Sequence, residues 1–186
     1  GRGLAHLVYV NGGASGIGGG VIIGGNLLGG TAGYAGELGH VRVSGSEAID
    51  SAGIAGTLEA EVTRAELLDA IGLHSADPAQ FESALLADRS PRVAGIVERQ
   101  LSHLGTALAA AINLFNPEVI ALGGFLSALQ AYHPAGLEHS VAAASLAPSR
   151  EGVRITAAEL GPRLLMIGAA GLAFQRLLAD PASVPG

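Results

Sequence analysis

Near the start of the chain, apolar residues occur in short runs that are separated by glycine. Leu7–Val10 ends at an Asn-Gly pair, and Gly20–Ile23 stops at a second glycine-rich corner. Short β-prone runs that end in such turn residues are typical of hairpin strands. A third run, Leu38–Val43, has Val41 and Val43 in alternation. The pattern therefore predicts an antiparallel β-meander with glycine-rich corners.

Helical spacing of apolar residues prevails farther along the chain. The segment that Pro91 opens repeats apolar residues at steps of three and four, which predicts a long amphipathic helix. Its stripe consists of Val93, Val97, Leu101, Leu104, Leu108, Ile112 and Phe115. A helix capped by Thr57 and running to Gly72 is predicted before it, and another begins at Asp77, which precedes a proline.

The second half of the chain alternates apolar runs with helical segments. Val119–Leu122 and Val153–Ile155 predict strands, and a helical stretch through Leu126 and Leu129 lies between them. A last helix is predicted over Gly161–Leu178. Strands that alternate with helices indicate an α/β architecture, so we expect a mixed sheet, partly parallel and packed by helices.

The composition excludes several kinds of chemistry. All ten basic residues are Arg, and the chain has no Lys, Cys or Trp. A Walker-type phosphate loop and a Schiff base require Lys, whereas thiol nucleophiles, disulfides and thiolate-bound metals require Cys. The net charge of −6 argues against nucleic-acid binding by this chain alone.

Location and boundaries are also suggested by the sequence. The absence of Cys fits a reducing cytoplasm, and no membrane segment is expected, because glycine and asparagine interrupt the uncharged stretch at residues 3–36. The chain starts without Met and without the pattern of a signal peptide, which suggests a processed protein or an excised fragment.

Three short segments carry candidate chemistry. The glycine-rich turn Ser15–Gly20 can aim backbone N–H groups at an anion, although a purely structural hairpin turn is the simpler interpretation. Glu37 and His40 bracket a glycine; such side chains can bind sugar hydroxyls, or they can be a solvated turn residue and an ordinary strand histidine. Gly123-Gly124 follows an apolar strand, where α/β proteins often bind ligands, although an ordinary strand-to-helix turn would have the same residues.

Taken in order, these motifs resemble the ROK family of repressors, open reading frames and sugar kinases. Ser15–Gly20 is similar to the family's Thr-Gly-Ile-Gly-x-Gly phosphate turn, and Ala35–His40 matches its Ala-Gly-Glu-x-Gly-His sugar motif. Asn113–Ile120 and Leu122–Gly124 match the segment that enters the nucleotide-side strand, and Ile167–Ala170 matches the closing helix. The resemblance covers nearly the whole chain.

The resemblance implies the C-terminal lobe of an actin-like, RNase H-type fold over residues 1–179, followed by a tail at 180–186. The other lobe, the catalytic Asp and any DNA-binding domain would lie upstream, so no catalytic residue is assigned here. Glu37, His40 and Glu59 would contact sugar hydroxyls, with the loop around Gly33 closing over the ring. A phosphate or nucleotide, if its site is retained, would bind at Ser15, Gly16, Gly18, Gly123 and Gly124.

One departure from the family pattern concerns a metal. Family members commonly carry Cys-x-Cys-Gly-x-x-Gly-Cys-Leu-Glu, which holds zinc together with the histidine of the sugar motif. Here Asp50, Ala52 and Thr57 stand at the cysteine positions. Asp50 and His40 are too few ligands for a structural zinc, so we predict none. The loop must then be held by packing, or be mobile.

Three functions remain open at this stage. The first is a sugar-sensing effector lobe of a transcriptional repressor, which forms a homodimer or a higher homo-oligomer and reaches DNA only through an upstream domain. Its ligand would be a sugar or an amino sugar, with no cofactor. The second is one lobe of a sugar kinase, which would use ATP and Mg²⁺. The third is a degenerate domain that serves only in assembly.

Overall fold

Helices pack around a five-stranded mixed sheet in the computed structural model, which describes residues 3–158 and residue 174. The strands are β1 (Leu7–Gly12), β2 (Ile17–Ile23), β3 (Asn26–Leu27), β4 (Val119–Gly124) and β5 (Arg154–Ala157). Their order is β3-β2-β1-β4-β5. The first three strands pair antiparallel, whereas β4 is parallel to both β1 and β5. The expected meander, mixed sheet and α/β class are thus confirmed.

The third strand of the meander is not the one that the sequence predicted. Leu38–Val43 is not a strand, since Leu38–His40 forms a turn of 3₁₀-helix, and the short β3 takes the third place instead. Gly39 is buried so close to β2 that a Cβ on it would overlap the carbonyl oxygen of Ile17. The segment therefore packs across the start of β2 rather than pairing along it. The two valines that alternate here still pack against the core.

Seven α-helices are found among residues 3–158. They are α1 (Leu58–Glu61), α2 (Arg64–Ala70), α3 (Pro78–Ala87), α4 (Pro91–Phe115), α5 (Phe125–Tyr132), α6 (Pro134–Ala144) and α7 (Ala147–Arg150). The helix expected from Thr57 to Gly72 is divided into α1 and α2. Both predicted N-caps are confirmed, because the side chains of Thr57 and Asp77 accept the N–H groups of Ala60 and Gln80. Apart from Phe174, which is helical, the predicted last helix and the tail lie outside the described residues.

The long helix α4 is the centre of the apolar core. Its predicted stripe is buried from Val93 to Ile112, and Phe115 packs against the same core with partial exposure. Gly105 lets α6 approach closely, because a Cβ at this position would overlap Ser140. None of the described helices is both long and apolar enough to cross a bilayer.

The parallel pairing of β1 and β4 brings the carboxyl ends of both strands to one edge of the sheet. Gly12 and Gly124 end the two strands side by side, and α5 begins directly after Gly124. Gly124 has φ +61°, and a Cβ on it would overlap the carbonyl oxygen of Gly12. The hairpin turn at residues 13–16 emerges at the same edge. Carboxyl ends of parallel strands are the usual ligand site in such sheets.

Candidate functional site

A buried carboxylate organises the loop that leads into α1. We call residues 50–57 the site loop. Asp50 begins it and accepts four hydrogen bonds, two of them from the N–H groups of Ala52 and Ile54 at 2.9 Å each. The hydroxyl of Thr57 donates the third at 2.9 Å, and Nδ1 of His40 lies 2.8 Å from the same carboxylate oxygen. Thus Asp50 ties both ends of the site loop to the predicted sugar motif.

The protonation of Asp50 follows from these contacts. Burial by itself would raise the pKa of the carboxyl group, but the hydrogen bonds from His40, Ile54, Thr57 and Ala52 outweigh that effect and lower the pKa to about 2. Hydrogen bonds that stabilise the charged form lower an acid's pKa in this way. At neutral pH the group is a charged acceptor and a weak base, so it is suited to holding structure rather than to accepting a proton from a substrate.

Glu59 joins the site loop to the hairpin turn. Its Oε2 accepts the N–H of Ile17 at 2.9 Å, and its Oε1 accepts the N–H of Ser51 at 3.0 Å and the hydroxyl of Ser51. Burial raises the pKa of Glu59, but these bonds and the nearby charge of His40 lower it overall. Gly16 has φ +149°, and a Cβ on it would overlap the Glu59 carboxylate. A glycine is therefore required where the turn meets Glu59.

His40 lies between the carboxylates. Its side chain is 31% exposed, and Nδ1 faces the fully buried side chain of Asp50. The pKa of His40 is raised, mainly by the hydrogen bond with Asp50, and further by the negative charges of Asp50, Glu59 and Glu37. Glu37 itself is exposed and immediately precedes the 3₁₀ turn. The fold thus brings together Glu37, His40 and Glu59, whereas Gly33 lies in the exposed segment between β3 and this turn.

The residues assigned to phosphate all lie at the edge formed by β1 and β4, but the glycine-rich turn is shorter than expected. Ser15 and Gly16 are in the turn, whereas Gly18 is inside β2 and pairs with Asn11. The predicted second strand began at Gly20, yet β2 begins at Ile17, whose N–H already donates to Glu59. The backbone after Gly16 is therefore paired strand, not an open anion-binding loop. Gly123 and Gly124 close the same edge.

Sequence reasoning missed the central role of Asp50 and the contact of Ser51 with Glu59. Asp50 entered the sequence argument only as an insufficient zinc ligand. One local pattern could have indicated more: an Asp followed by small residues often accepts backbone N–H groups a few positions later, as Asp50 does from Ala52 and Ile54. The pairing with His40 and Thr57 depends on the fold and has no local pattern.

The residues at the zinc-motif positions do not fit a zinc ion. Ala52 has no ligating side chain, the hydroxyl of Thr57 is directed at Asp50, and the oxygens of Asp50 are occupied by hydrogen-bond donors. Across residues 3–158, no group of three or more His, Asp or Glu side chains is arranged to hold a metal. Zinc in structural sites needs four ligands in tetrahedral geometry.

Comparison with known proteins gives relatives of two kinds. The xylose repressor of Caldicellulosiruptor bescii is 24% identical over an alignment of 195 positions, gaps included. The alignment covers 96% of this chain and 48% of that protein. The glucokinase of Thermotoga maritima is 34% identical over 145 residues, which cover 68% of this chain and 45% of that protein. The chain thus spans about half the length of the curated relatives it matches.

Solved structures and a family model agree with the order of the motifs. A ROK hexokinase from Thermus thermophilus superposes with a TM-score of 0.70 at 27% identity, over 91% of this chain and 58% of that one. The actin-like fold expected from the sequence is thereby confirmed. The ROK family model matches residues 2–176, nearly the whole length. On this match and the motifs that carry it, the chain belongs to the ROK family.

Proposed function

We propose that this chain is the sugar-binding effector lobe of a transcriptional repressor. The observation that carries the proposal is the placement of His40 and Glu59 at the site loop, next to the hairpin turn after β1, with Glu37 near enough for its charge to act on His40. Carboxylates and an imidazole can together bind neighbouring hydroxyls of a sugar ring. The match to a xylose repressor over 96% of the chain supports a repressor.

Each of these side chains would have a distinct task. Glu37, the most exposed of the three, accepts hydrogen bonds from ring hydroxyls, while His40 offers the ring nitrogen that does not face Asp50. Both donors of Ser51 occupy Oε1 of Glu59, so one lone pair remains on Oε2 beside the one that accepts the N–H of Ile17. The lowered pKa of both Asp50 and Glu59 makes these carboxylates weak general bases, which fits binding without proton transfer.

A sensor also needs two states. Sugar binding changes the population of DNA-competent molecules only if the sugar binds one state more tightly than the other. In this proposal DNA is bound through an upstream domain, the repressor is a homodimer or a higher homo-oligomer, and it works in the cytoplasm. The ligand class is a sugar or an amino sugar, and xylose is the first candidate because of the named relative.

The test is calorimetry on the full-length protein with xylose, glucose and N-acetylglucosamine. We expect one of them to bind, and Glu37→Gln to weaken that binding by about tenfold or more, the equivalent of one charge-assisted hydrogen bond. Glu47→Gln is the matched control, because Glu47 is also exposed but outside the site, and it should leave the affinity unchanged. If no sugar binds, or if both variants bind as the unaltered protein does, the proposal is wrong.

A second function, one lobe of an ATP-dependent sugar kinase, is favoured by sequence identity. The glucokinase relative has 34% identity, which is higher than that of the xylose repressor. The Thermus thermophilus hexokinase at 27% also exceeds the xylose repressor at 24%. In that case ATP and Mg²⁺ would be used together with an upstream Asp, and the edge at Gly123-Gly124 would face the nucleotide. Sugar-dependent release of ADP by the full-length protein would support the kinase, and its absence with a sugar that binds would support the sensor.

A further inference from the structure

All the positions where the family pattern would place zinc ligands meet at one carboxylate. His40 contacts it through Nδ1, Thr57 through its hydroxyl, and Ala52 through its backbone N–H, while the carboxylate itself belongs to Asp50 at the first cysteine position. Every one of these groups is a hydrogen-bond donor toward Asp50. A metal ion would have required lone pairs from the same positions. Here His40, Ala52 and Thr57 instead donate hydrogen bonds, and Asp50 is the acceptor.

The buried polar groups around Asp50 satisfy one another's hydrogen-bonding capacity. A buried carboxylate is costly unless hydrogen bonds satisfy it, and Asp50 has four at 2.8–2.9 Å. Thr57 is fully buried, so its hydroxyl also needs the partner that Asp50 supplies. These residues therefore support one another, and the site loop does not depend on a metal to be held.

We propose that Asp50 is a positioning residue that takes the structural place of a metal and fixes the hydrogen-bonding role of His40. An ionised carboxylate can only accept, so the proton of neutral His40 must reside on Nδ1. While the ring is neutral, Nε2 carries a lone pair and accepts a hydrogen bond from a ligand hydroxyl, whereas the protonated ring donates from Nε2. A metal bound to Nδ1 would instead leave the proton on Nε2, which would make that nitrogen a donor.

Asp50 also positions Glu59 through its neighbour. Ser51 adjoins Asp50 and donates both its N–H and its hydroxyl to Glu59, so the geometry of the site loop sets the orientation of that carboxylate. One residue thereby orients two of the three side chains assigned to the sugar. The part of this inference that concerns ligand binding rests on the proposed function, whereas the part that concerns the site loop does not.

The first experiment measures hydrogen exchange of the site loop in the full-length protein without ligand. We expect Asp50→Ala to raise exchange at the amides of Ala52 and Ile54 by about tenfold or more, because each loses its acceptor. Asp69→Ala is the control, because Asp69 is an exposed carboxylate with a single surface ion pair, and it should change nothing in the site loop. Unchanged exchange in Asp50→Ala would overturn the proposal.

The second experiment observes the ring nitrogens of His40 by ¹⁵N NMR, a signature that a merely structural role would not move. The neutral ring should carry its proton on Nδ1, and Asp50→Ala should shift the proton toward Nε2. If the unaltered protein already has the proton on Nε2, the assigned role of Asp50 is wrong. Should Asp50→Ala fail to fold, Thr57→Val removes one donor to the same carboxylate and provides the comparison.

The third experiment adds zinc alone. We expect no tight equivalent of zinc in the unaltered full-length protein, and one equivalent in the triple variant Asp50→Cys, Ala52→Cys and Thr57→Cys, with His40 as the fourth ligand. Tight binding by the unaltered protein that is lost in Asp50→Ala would overturn the inference. If no sugar binds in calorimetry, the proposed function fails, while exchange, NMR and zinc titration still decide the role of Asp50.

Discussion

Helix α4 and the site loop are held in place by different forces. α4 buries a continuous apolar stripe between neighbouring helices, whereas the site loop has neither a helix nor a long strand and is organised by one buried carboxylate. Apolar burial is distributed over many contacts and tolerates small changes of geometry. The site loop is stabilised by a few directional hydrogen bonds to one carboxylate. Its stability therefore depends on pH and on the loss of single donor atoms.

The largest effect is expected in α4. Leu108 is fully buried, and Leu108→Ala should lower the free energy of unfolding by about 2–5 kcal/mol through lost burial and the cavity left behind. Leu114 lies on the same helix but is 73% exposed, so Leu114→Ala should change stability by no more than about 0.5 kcal/mol. Urea unfolding of both variants measures the difference. Equal losses of unfolding free energy in the two variants would mean that the buried face of α4 is assigned wrongly.

The site loop should weaken selectively in acid. The folded-state pKa of Asp50 is about 2, below its ordinary value of 3.8, so its stabilising contribution is present above the ordinary value and lost as pH falls toward about 2. The lowered pKa of Glu59 acts in the same direction. His40 remains protonated in both states throughout this range, because its raised pKa lies well above it.

Urea unfolding between about pH 5 and pH 2 measures this loss. We expect the free energy of unfolding to fall with pH, and to fall less steeply in Asp50→Ala than in the unaltered protein. The Asp69→Ala variant serves as the control for removing one carboxyl group from the surface, and it should keep the steeper dependence. Identical pH dependence in all three proteins would contradict the assigned pKa of Asp50.

A single hydroxyl tests how directional the site loop is. Thr57→Val keeps the shape of the side chain but removes both the donor to Asp50 and the N-cap of α1, so we expect a loss of about 1–3 kcal/mol. Thr106 on α4 also donates a hydroxyl hydrogen bond, to the carbonyl of Ser102, but it is exposed. Thr106→Val should therefore cost less than about 0.5 kcal/mol by the same measurement. A larger loss at Thr106 would reverse the comparison.

The smallest effect is expected for a surface ion pair. Arg92 and Asp69 lie 2.6 Å apart, with side-chain exposures of 63% and 78%. Water and salt screen such a pair, so Arg92→Ala should change the free energy of unfolding by less than about 1 kcal/mol. Thermal unfolding at low and high salt checks this, and a larger loss that persists at high salt would show that Arg92 contributes through packing instead.

Periodic features of the fold could be predicted from sequence. The stripe of α4, the caps at Thr57 and Asp77, and the strand before Gly123 were found because propensity and spacing are local properties. The strand expected at Leu38–Val43 was wrong, since local alternation does not reveal that Gly39 packs against the backbone of Ile17. Helices α6 and α7 were not predicted, because the weakly patterned alanine-rich segment gives no clear spacing.

The candidate site was predicted as residue types but not as contacts. Glu37, His40 and Glu59 came from motif order, and their proximity is now supported by the charges that act on His40. The assigned roles of these residues, and of Gly33 and the phosphate-turn glycines, remain predictions. The site loop was expected to be held by packing or to be mobile; in the structure the polar contacts of Asp50 hold it, while residues 51–54 are exposed.

By itself, the sequence determined the family, the α/β class, the main helix and the absence of cysteine at three positions, because these are matters of identity and spacing. Only the tertiary structure decided what replaces those cysteines. Asp50 reaches His40 ten positions earlier and Thr57 seven positions later, and no periodicity encodes these distances. Hydrogen bonds between residues this far apart in the sequence form only after packing has fixed the backbone. Their strength changes when the donor–acceptor distance shifts by a few tenths of an ångström or when the angle changes.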